Sequence, residues 1–198
     1  MSPETHSAAI ILAAGASSRM GRPKPLLELD GETFLDRLID RFSGICDPVI
    51  VVLGYGAHEV REGIVRGAQA IILVNPAPER GMLSSLQCGL RHVPDTAEAV
   101  LFTPVDLPCI TRDTIERLAV AEPAPVAIPT FQGRKGHPVR VSQKIAAELL
   151  ALPLDARATD VIHRHRAHLI DVDDPGILHD VDTPDDYAAL LAASGARP

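Results

Sequence analysis

The chain has 198 residues, of which 46% are hydrophobic, 3% are aromatic and none is tryptophan. This length can bury a sizeable core of Ala, Val, Ile and Leu, and we expect one domain over residues 1–198. A formal charge of −7 argues against nucleic acid as a partner, because phosphate neutralisation needs a clustered basic surface. No apolar run approaches the roughly 20 residues of a membrane span, and residues 1–7 lack a basic leader. Three cysteines without C-x-x-C spacing indicate neither disulfides nor a zinc site, so we expect a cytoplasmic protein without membrane contact.

Short apolar runs alternate with amphipathic segments in the first part of the chain. The runs predict buried strands over residues 8–13, 49–53, 70–74, 100–103 and 126–129. The segments between them predict helices over residues 34–42, 58–65, 84–92 and 111–121. This alternation predicts an α/β fold, a three-layer α/β/α sandwich around a Rossmann-like, mostly parallel sheet.

The pattern changes after residue 130. A turn at Gly133 and Gly136 predicts a hairpin or a returning strand. Two helices and a further strand are then predicted over residues 143–151, 158–163 and 167–172. Thr183 and Pro184 place a capping residue and a first-turn proline at the start of a last helix, which we expect to run to about residue 193.

The segment after the first predicted strand has the composition of a phosphate-binding loop. Small residues at positions 14–18 let a ligand approach the main chain, so several backbone N–H groups can point at one anion. Arg19 and Lys24 add two kinds of cation, which suits a polyphosphate. The loop does not match the Walker motif, because Gly15 and Gly21 lie one position too far apart. It does not match the dinucleotide-binding fingerprint either, because position 17, two residues after Gly15, is a serine and not a glycine. A surface turn with solvated cations is the alternative.

Two aspartates are candidate metal ligands. Asp106 comes just after a predicted strand. It lies between Pro104 and Pro108, which restrict the conformation of its loop. Mg²⁺ takes one or two protein carboxylates plus phosphate oxygens, so Asp106 suits that role, with a helix cap or a surface aspartate as the alternative. Asp182 is the second candidate, and an extended chain would send it to the same face as Asp180. The alternative is that these two acids only complement the dipole of the last helix.

Other polar residues allow two interpretations each. Ser85, which follows Gly81 and Ser84, either belongs to a helix cap or contacts a nucleobase. His137 lies in a short, stiff turn, where it either touches a substrate or is a structural histidine. Three further histidines do not share one helical face, which favours a solvated or substrate-facing basic patch over a metal cluster. They are His163, His165 and His168.

Taken in chain order, these motifs resemble the MobA-like NTP transferase family, most closely its molybdenum cofactor cytidylyltransferase branch. Five segments spread over nearly the whole chain carry the resemblance. They are Leu12-Ala13-Ala14-Gly15-x-Ser17-x-Arg19-Met20-Gly21 with Lys24, Gly81-Met82 with Ser84-Ser85-Leu86, Asp106-x-Pro108, Gly136-His137-Pro138-Val139, and Asp180-Val181-Asp182-Thr183-Pro184 with Asp186-Tyr187. The resemblance implies the nucleotidyltransferase, or GT-A-like, form of the sandwich.

The resemblance also implies a role for the matching residues. Arg19, Lys24 and Asp106 would be catalytic, Asp106 and Asp182 would hold Mg²⁺, and His137 would lie on the acceptor side. The nucleotide-binding positions would be Leu12, Ala13, Ala14, Gly15, Arg19, Lys24, Gly81, Ser85 and Asp106.

The implied reaction transfers NMP from an NTP to an acceptor phosphate and releases pyrophosphate. The Ala13-Ala14 pair favours CTP, and the branch implies molybdopterin or molybdenum cofactor as the acceptor, with a molybdoenzyme or its chaperone as a transient partner. Residues 154–160 lack the glycines of the family's acceptor-side segment, which leaves the acceptor open. The alternatives are transfer to a sugar phosphate or another small phosphate, a nucleotide-sugar glycosyltransferase, and a non-catalytic molybdenum cofactor chaperone.

Overall fold

A computed structural model describes residues 6–195 of the chain. The strands in this part are β1 (Ser7–Ala13), β2 (Glu28–Leu29), β3 (Glu32–Thr33), β4 (Val49–Leu53), β5 (Ile71–Val74), β6 (Ala99–Pro104), β7 (Val126–Phe131), β8 (Arg134–Lys135), β9 (Val139–Ser142) and β10 (His168–Asp171). The α-helices are α1 (Phe34–Phe42), α2 (Ala57–Gly63), α3 (Met82–Leu90), α4 (Arg112–Ala119), α5 (Gln143–Leu150), α6 (Ala158–Arg164) and α7 (Pro184–Ser194). Short 3-10 helices cover Lys24–Leu26, Gly67–Gln69, Pro78–Arg80 and Pro175–Leu178.

One large sheet forms the centre of the molecule, with the strand order β10-β7-β9-β6-β1-β4-β5. The pairs β1–β4, β1–β6, β4–β5 and β7–β10 are parallel, whereas β9 is antiparallel to β6 and β7, and β8 is antiparallel to β7. Every residue of β1 and β4 is buried, as expected for central strands that are covered on both faces. The mostly parallel sheet predicted from the sequence is confirmed.

Apolar side chains pack on both faces of this sheet. One cluster joins Phe34 and Leu38 of α1 to Ile115 of α4 and Leu191 of α7. The other joins α3, α5 and α6 to the opposite face, with Leu86 as one of its fully buried members. The fold is therefore the predicted three-layer α/β/α sandwich.

The predicted elements agree closely with the structure. Both β4 and α1 begin and end at the predicted residues, while α3 begins two residues early, directly after Gly81, whose φ of 84° suits a glycine. The helix predicted from residue 111 begins at Arg112, because Thr111 is its N-cap and accepts a hydrogen bond from the backbone N–H of Thr114. Both alternatives for residues 131–141 occur, since β7 and β8 form a hairpin and β9 returns antiparallel. None of the helices described is both long and apolar enough to cross a membrane.

Candidate active site

A cavity of about 310 Å³ opens at the carboxyl ends of β1 and β6, where open α/β sheets bind their ligands. It is lined by Leu12, Ala13, Ala14, Gly15, Ser17, Ser18, Arg19, Lys24, Pro25, Pro78, Gly81, Met82, Ser85, Pro104, Val105, Asp106 and Asp182. Every residue that the sequence predicts for nucleotide or metal binding is in this set. The structure thus gathers residues from four separate motifs around one space.

The loop after β1 is held in shape by its own hydrogen bonds. The backbone N–H of Met20 donates to the carbonyl of Ser17 at 2.9 Å, and the backbone N–H of Lys24 donates to Ser17 Oγ at 3.0 Å. Ser17 has a φ of 51°, in the left-handed region that L-residues rarely adopt. This turn brings the side chains of Arg19 and Lys24 to the same cavity.

A glycine on the neighbouring strand end lets this loop lie close to the sheet. A Cβ on Gly54 would lie 2.6 Å from the carbonyl oxygen of Ala14 and 2.8 Å from Pro78 Cβ. The backbone N–H of Tyr55 also donates to the Ala14 carbonyl, at 3.4 Å. The end of β4 therefore supports the back of the loop, and only glycine permits this close approach.

Cations and carboxylates meet at the mouth of the cavity. Lys24 Nζ lies 3.1 Å from Asp106 Oδ2 and also donates a hydrogen bond to Asp182 Oδ1. Arg19 Nη2 lies 3.0 Å from Asp182 Oδ2. The side chain of Lys24 is 12% exposed, whereas that of Arg19 is 67% exposed.

The electrostatics of this cluster keep Asp182 ionised. The hydrogen bond from Lys24 lowers the pKa of Asp182, and the charges of Lys24 and Arg19 act in the same direction. The lowered pKa of Asp182 is thus a direct effect of its two cationic neighbours, Lys24 and Arg19. An ionised carboxylate has the charge and the oxygen ligands that a divalent metal ion requires.

Asp106 and Asp182 are brought together by backbone contacts as well as by Lys24. The backbone N–H of Val181 donates to the carbonyl of Asp106 at 2.9 Å. Asp182 directly precedes Thr183, which forms a reciprocal capping box with Asp186 at the start of α7. The last helix therefore begins at the cavity and presents Asp182 to it.

The two carboxylates fit a magnesium or manganese ion. Both approach the same atom, Lys24 Nζ, so one cation can bridge them, and their oxygens are hard ligands. Residues 6–195 contain no group of three or more His, Cys, Asp or Glu side chains that could hold a metal unaided. A pair of carboxylates completed by phosphate oxygens is the arrangement that Mg²⁺ prefers in nucleotide sites.

Ser85, which also lines the cavity, is positioned by a buried amide. Asn75 is 4% exposed, and its Nδ2 donates to Ser84 Oγ at 2.8 Å and to Ser85 Oγ at 3.0 Å. Ser84 in turn donates to the carbonyl of Gly81. Because Ser85 accepts from Asn75, its own proton can turn toward the cavity. The sequence places Asn75 just after a strand but gives no signal that pairs it with a serine ten residues on.

His137 lies beside the cavity rather than in its lining. Its ring packs edge-on against Phe102 of β6, with 6.4 Å between the ring centroids, and its Nδ1 is buried without a hydrogen-bond partner in the part of the chain that the structure describes. Burial lowers the pKa of His137, so the ring is neutral at pH 7. The sequence-based prediction of an acceptor-side role stays a prediction.

The second histidine group lies elsewhere. His163 and His165 line a separate depression with Arg166 and Lys135. His165 Nε2 lies 3.0 Å from Glu148 Oε2, so Glu148 and not a metal is its partner. His168 begins the edge strand β10 and is exposed.

A mixed α/β sheet whose carboxyl edge carries a cationic glycine loop and two facing aspartates is the architecture of a nucleotidyltransferase. The chain belongs to the MobA-like NTP transferase family, whose sequence model matches residues 9–169. It is 29% identical over 178 residues to the molybdenum cofactor cytidylyltransferase of Escherichia coli K12, with 90% of this chain and 92% of that protein covered. It is also 35% identical over 136 residues to a molybdenum cofactor guanylyltransferase of Rhodopseudomonas palustris, with 66% and 63% covered.

Solved structures support the same assignment. A homologue of Mycobacterium tuberculosis Rv0371c from Mycobacterium sp. strain JC1 superposes with a TM-score of 0.82 at 34% identity, covering 96% of each chain. Rv0371c itself, crystallised in complex with manganese, superposes with a TM-score of 0.79 at 28% identity, covering 96% of this chain and all of that one. The family model confirms the expected family, these superpositions confirm the expected fold, and divalent metal binding occurs in a structural relative.

Proposed function

We propose that this protein transfers CMP from CTP to the terminal phosphate of molybdopterin or molybdenum cofactor and releases pyrophosphate. The observation that carries the proposal is the contact of Lys24 with both Asp106 and Asp182 in a cavity that Ser85 also lines. Cations that would bind phosphates, carboxylates that would bind a metal ion and the hydroxyl of Ser85 all line this one cavity, which supports the binding of a metal-bound nucleoside triphosphate.

The triphosphate would lie along the loop after β1. Backbone N–H groups of the loop and the side chains of Arg19 and Lys24 would bind the β- and γ-phosphates. Lys24 would leave the carboxylates as the phosphates arrive, and Arg19 is exposed enough to follow them. Both cations then stabilise the charge that develops on the departing pyrophosphate.

Asp106 and Asp182 would hold the magnesium ion. When bound, the ion supplies charge neutralisation for the phosphates and fixes their orientation. The Val181–Asp106 backbone bond and the capping box at Thr183 keep the two carboxylates facing one another, so the protein contributes a preformed ligand pair.

The transfer step requires no general base, because an acceptor phosphate is already anionic at pH 7. An oxygen of that phosphate forms a new bond to the α-phosphorus, and the bond between the α-phosphorus and the α–β bridging oxygen breaks. Pyrophosphate leaves with the electron pair. The residues of the chain act by positioning the two reactants and by stabilising charge.

The choice of CTP is supported by the Ala13-Ala14 pair and by the relative with the greater coverage, a cytidylyltransferase. GTP is the competing nucleotide donor, because another relative is a guanylyltransferase. Ser85 would bind the base, since its hydroxyl can donate to a carbonyl oxygen or a ring nitrogen. His137 is proposed for the acceptor side, and its neutral ring suits a polar group better than a phosphate.

The proposal is tested by incubating the purified protein with Mg²⁺, each NTP in turn and one acceptor at a time. The acceptors are molybdopterin, molybdenum cofactor and a sugar phosphate, and the release of pyrophosphate is measured. We expect pyrophosphate and a cytidine dinucleotide product with CTP. Release of pyrophosphate only with a sugar phosphate would move the acceptor to another class. Cofactor binding without pyrophosphate from any NTP would favour the non-catalytic chaperone and overturn the proposal.

Three further expectations complete the proposal. Residues 1–198 act as one domain, which is supported by the four motifs that meet at one cavity. A cytoplasmic location and transient contact with a molybdoenzyme or its chaperone follow from the same proposed role.

A further inference from the structure

Asp174 is a buried acid outside the cavity, and it is only 3% exposed. Its Oδ2 accepts hydrogen bonds from the backbone N–H of Thr111 at 2.9 Å, from Thr111 Oγ1 at 2.8 Å and from Thr114 Oγ1 at 2.7 Å. Its Oδ1 accepts from the backbone N–H of Gly176 at 2.9 Å. Four donors satisfy this carboxylate, which is the condition under which a buried charge is tolerated.

Three of these four hydrogen bonds, those donated by Thr111 and Thr114, join two segments that carry the two carboxylates of the site. Thr111 ends the loop that starts at Asp106 and caps α4, whereas Asp174 starts the segment that leads to Asp182. The sequence separation between Thr111 and Asp174 is 63 residues, so no local structure holds them together.

Close backbone packing accompanies the hydrogen bonds. A Cβ on Gly176 would lie 2.2 Å from the carbonyl oxygen of Cys109, so glycine is required where the two segments cross. Further along the same segment, the carbonyl of Ile177 accepts from the backbone N–H of His137 at 3.2 Å. The 174–178 segment is thus anchored on one side to the Asp106 loop and on the other to the turn at His137.

In addition to the bridging Lys24, two connections between the segments hold Asp182 in position relative to Asp106. One is the Val181–Asp106 backbone bond, which is adjacent to both carboxylates. The other is the set of three hydrogen bonds from Thr111 and Thr114 to Asp174, which joins the two segments away from the cavity. Metal ligation tolerates errors of only about 0.2 Å in ligand distance, so loosening the second connection would alter the ligand pair.

We propose that Asp174 is a positioning residue that sets the separation of the two metal-binding carboxylates. This inference rests on the proposed metal site at Asp106 and Asp182. It assigns to Asp174 no contact with nucleotide, metal or acceptor. Its effect is transmitted through Thr111 and the backbone of the Asp106 loop.

The test replaces Asp174 by Asn, which keeps the size of the side chain but removes its charge. The Asn side chain also carries an NH₂ group, which cannot accept hydrogen bonds from Thr111, Thr114 or Gly176. Mn²⁺ binding to the purified protein in the presence of CTP is measured by electron paramagnetic resonance, at a temperature where circular dichroism shows the variant folded. We expect about tenfold weaker Mn²⁺ binding, a magnitude usual when residues that orient metal ligands are lost. CTP binding without metal should change less than twofold, because the loop after β1 is untouched.

Asp173→Asn is the matched control. Asp173 is the exposed neighbour, and its substitution changes the net charge equally, so it should leave Mn²⁺ binding unchanged. Thr114→Val removes one of the four donors and should give a smaller loss in the same direction, which keeps the test decisive if Asp174→Asn does not fold.

The outcomes separate this inference from the proposed function. Mn²⁺ affinity within twofold of the wild type in folded Asp174→Asn, or in Thr114→Val if the former does not fold, would overturn the positioning role and leave a purely structural one. Wild-type protein that binds Mn²⁺ but releases no pyrophosphate would overturn the transfer reaction and leave the positioning role intact. Wild-type protein that binds no Mn²⁺ with CTP would overturn both.

Discussion

The ammonium group of Lys24 lies 3.1 Å from a carboxylate oxygen of Asp106, although 82 residues separate them in the sequence. The same nitrogen donates to Asp182, so one cation joins the two acids proposed to bind the metal. Lys24 thus holds the place between the carboxylates that a divalent ion would take. Binding of a metal–nucleotide complex would move Lys24 from the acids to the phosphates.

Replacing Lys24 by Met is expected to lower kcat/KM for the NTP by roughly a hundredfold, because a charge that stabilises the leaving group is lost. The same change should tighten Mn²⁺ binding in the absence of nucleotide, since the competing ammonium group is gone. Steady-state pyrophosphate release and Mn²⁺ titration measure the two effects. Unchanged kinetics would show that Lys24 does not reach the phosphates.

Asp106→Asn is expected to reduce turnover by about a thousandfold or more, because half of the carboxylate pair is lost. The fold should persist, since the Asp106 side chain lies at the rim of the cavity and its backbone bond to Val181 remains. Thermal unfolding and pyrophosphate release measure the two quantities. Asp113→Asn on the exposed face of α4 is the control and should behave as the wild type. Near-normal turnover of Asp106→Asn would exclude it from the metal site.

The depressed pKa of Asp182 predicts a pH-dependent contribution to stability. Its pKa in the folded protein lies below the ordinary value of 3.8, so its ion pairs stabilise the fold above that value. The contribution is lost as the pH falls through the folded pKa. The difference in melting temperature between wild type and Asp182→Asn should therefore be present at pH 6 and shrink below about pH 3.8. A difference that stays constant across this range would contradict the ion-pair assignment.

Ser85→Ala is expected to raise the KM for CTP roughly tenfold, as the loss of one hydrogen bond to a base would do, with a smaller change in kcat. The ratio of kcat/KM for CTP to that for UTP should change as well, because Ser85 is proposed to contact the base. Ser84→Ala is the control, since its hydroxyl donates to the Gly81 carbonyl and not into the cavity. Equal effects of the two substitutions would remove Ser85 from base recognition.

Gly54→Ala is expected to weaken NTP binding by displacing the loop after β1. The new Cβ would lie 2.6 Å from the Ala14 carbonyl, and backbone cannot yield as a flexible side chain can. Overpacking of this kind costs about 1–3 kcal/mol of stability. Gly67→Ala, whose Cβ would be 3.4 Å from Ile64, is the control. Melting temperature and the KM for the NTP should both shift in Gly54→Ala alone.

Much of the fold could be predicted because the signals are local. The apolar run over residues 49–53 and the stripe over residues 34–42 each depend on neighbours within one element, and both match the structure at each end. The predicted start of α3 was two residues late, since this helix begins directly after Gly81 and its start is not marked by hydrophobic periodicity. The family resemblance could also be predicted, because its motifs are short and occur in order along the chain. The match of the family model to residues 9–169 confirms it.

The candidate site was predictable only in part. Local patterns single out the cationic loop, Asp106 and Asp182, since each follows a strand or precedes a helix. Asn75 also follows a strand, but no local pattern identifies its partner Ser85 or the partners of Asp174, because these partners lie on other segments. A side chain that acts by holding two loops together is visible only when both loops are placed.

The layers of the sandwich, the cation-bearing loop after β1 and the family could thus be predicted from the amino-acid sequence, because periodicity, small residues and short motifs express local energetics. The bridge of Lys24 between Asp106 and Asp182, the orientation of Ser85 by Asn75 and the link that Asp174 makes between the two carboxylate-bearing segments became visible only in the folded chain. These contacts join residues far apart in the chain, and their geometry depends on how the helices and strands pack on the sheet.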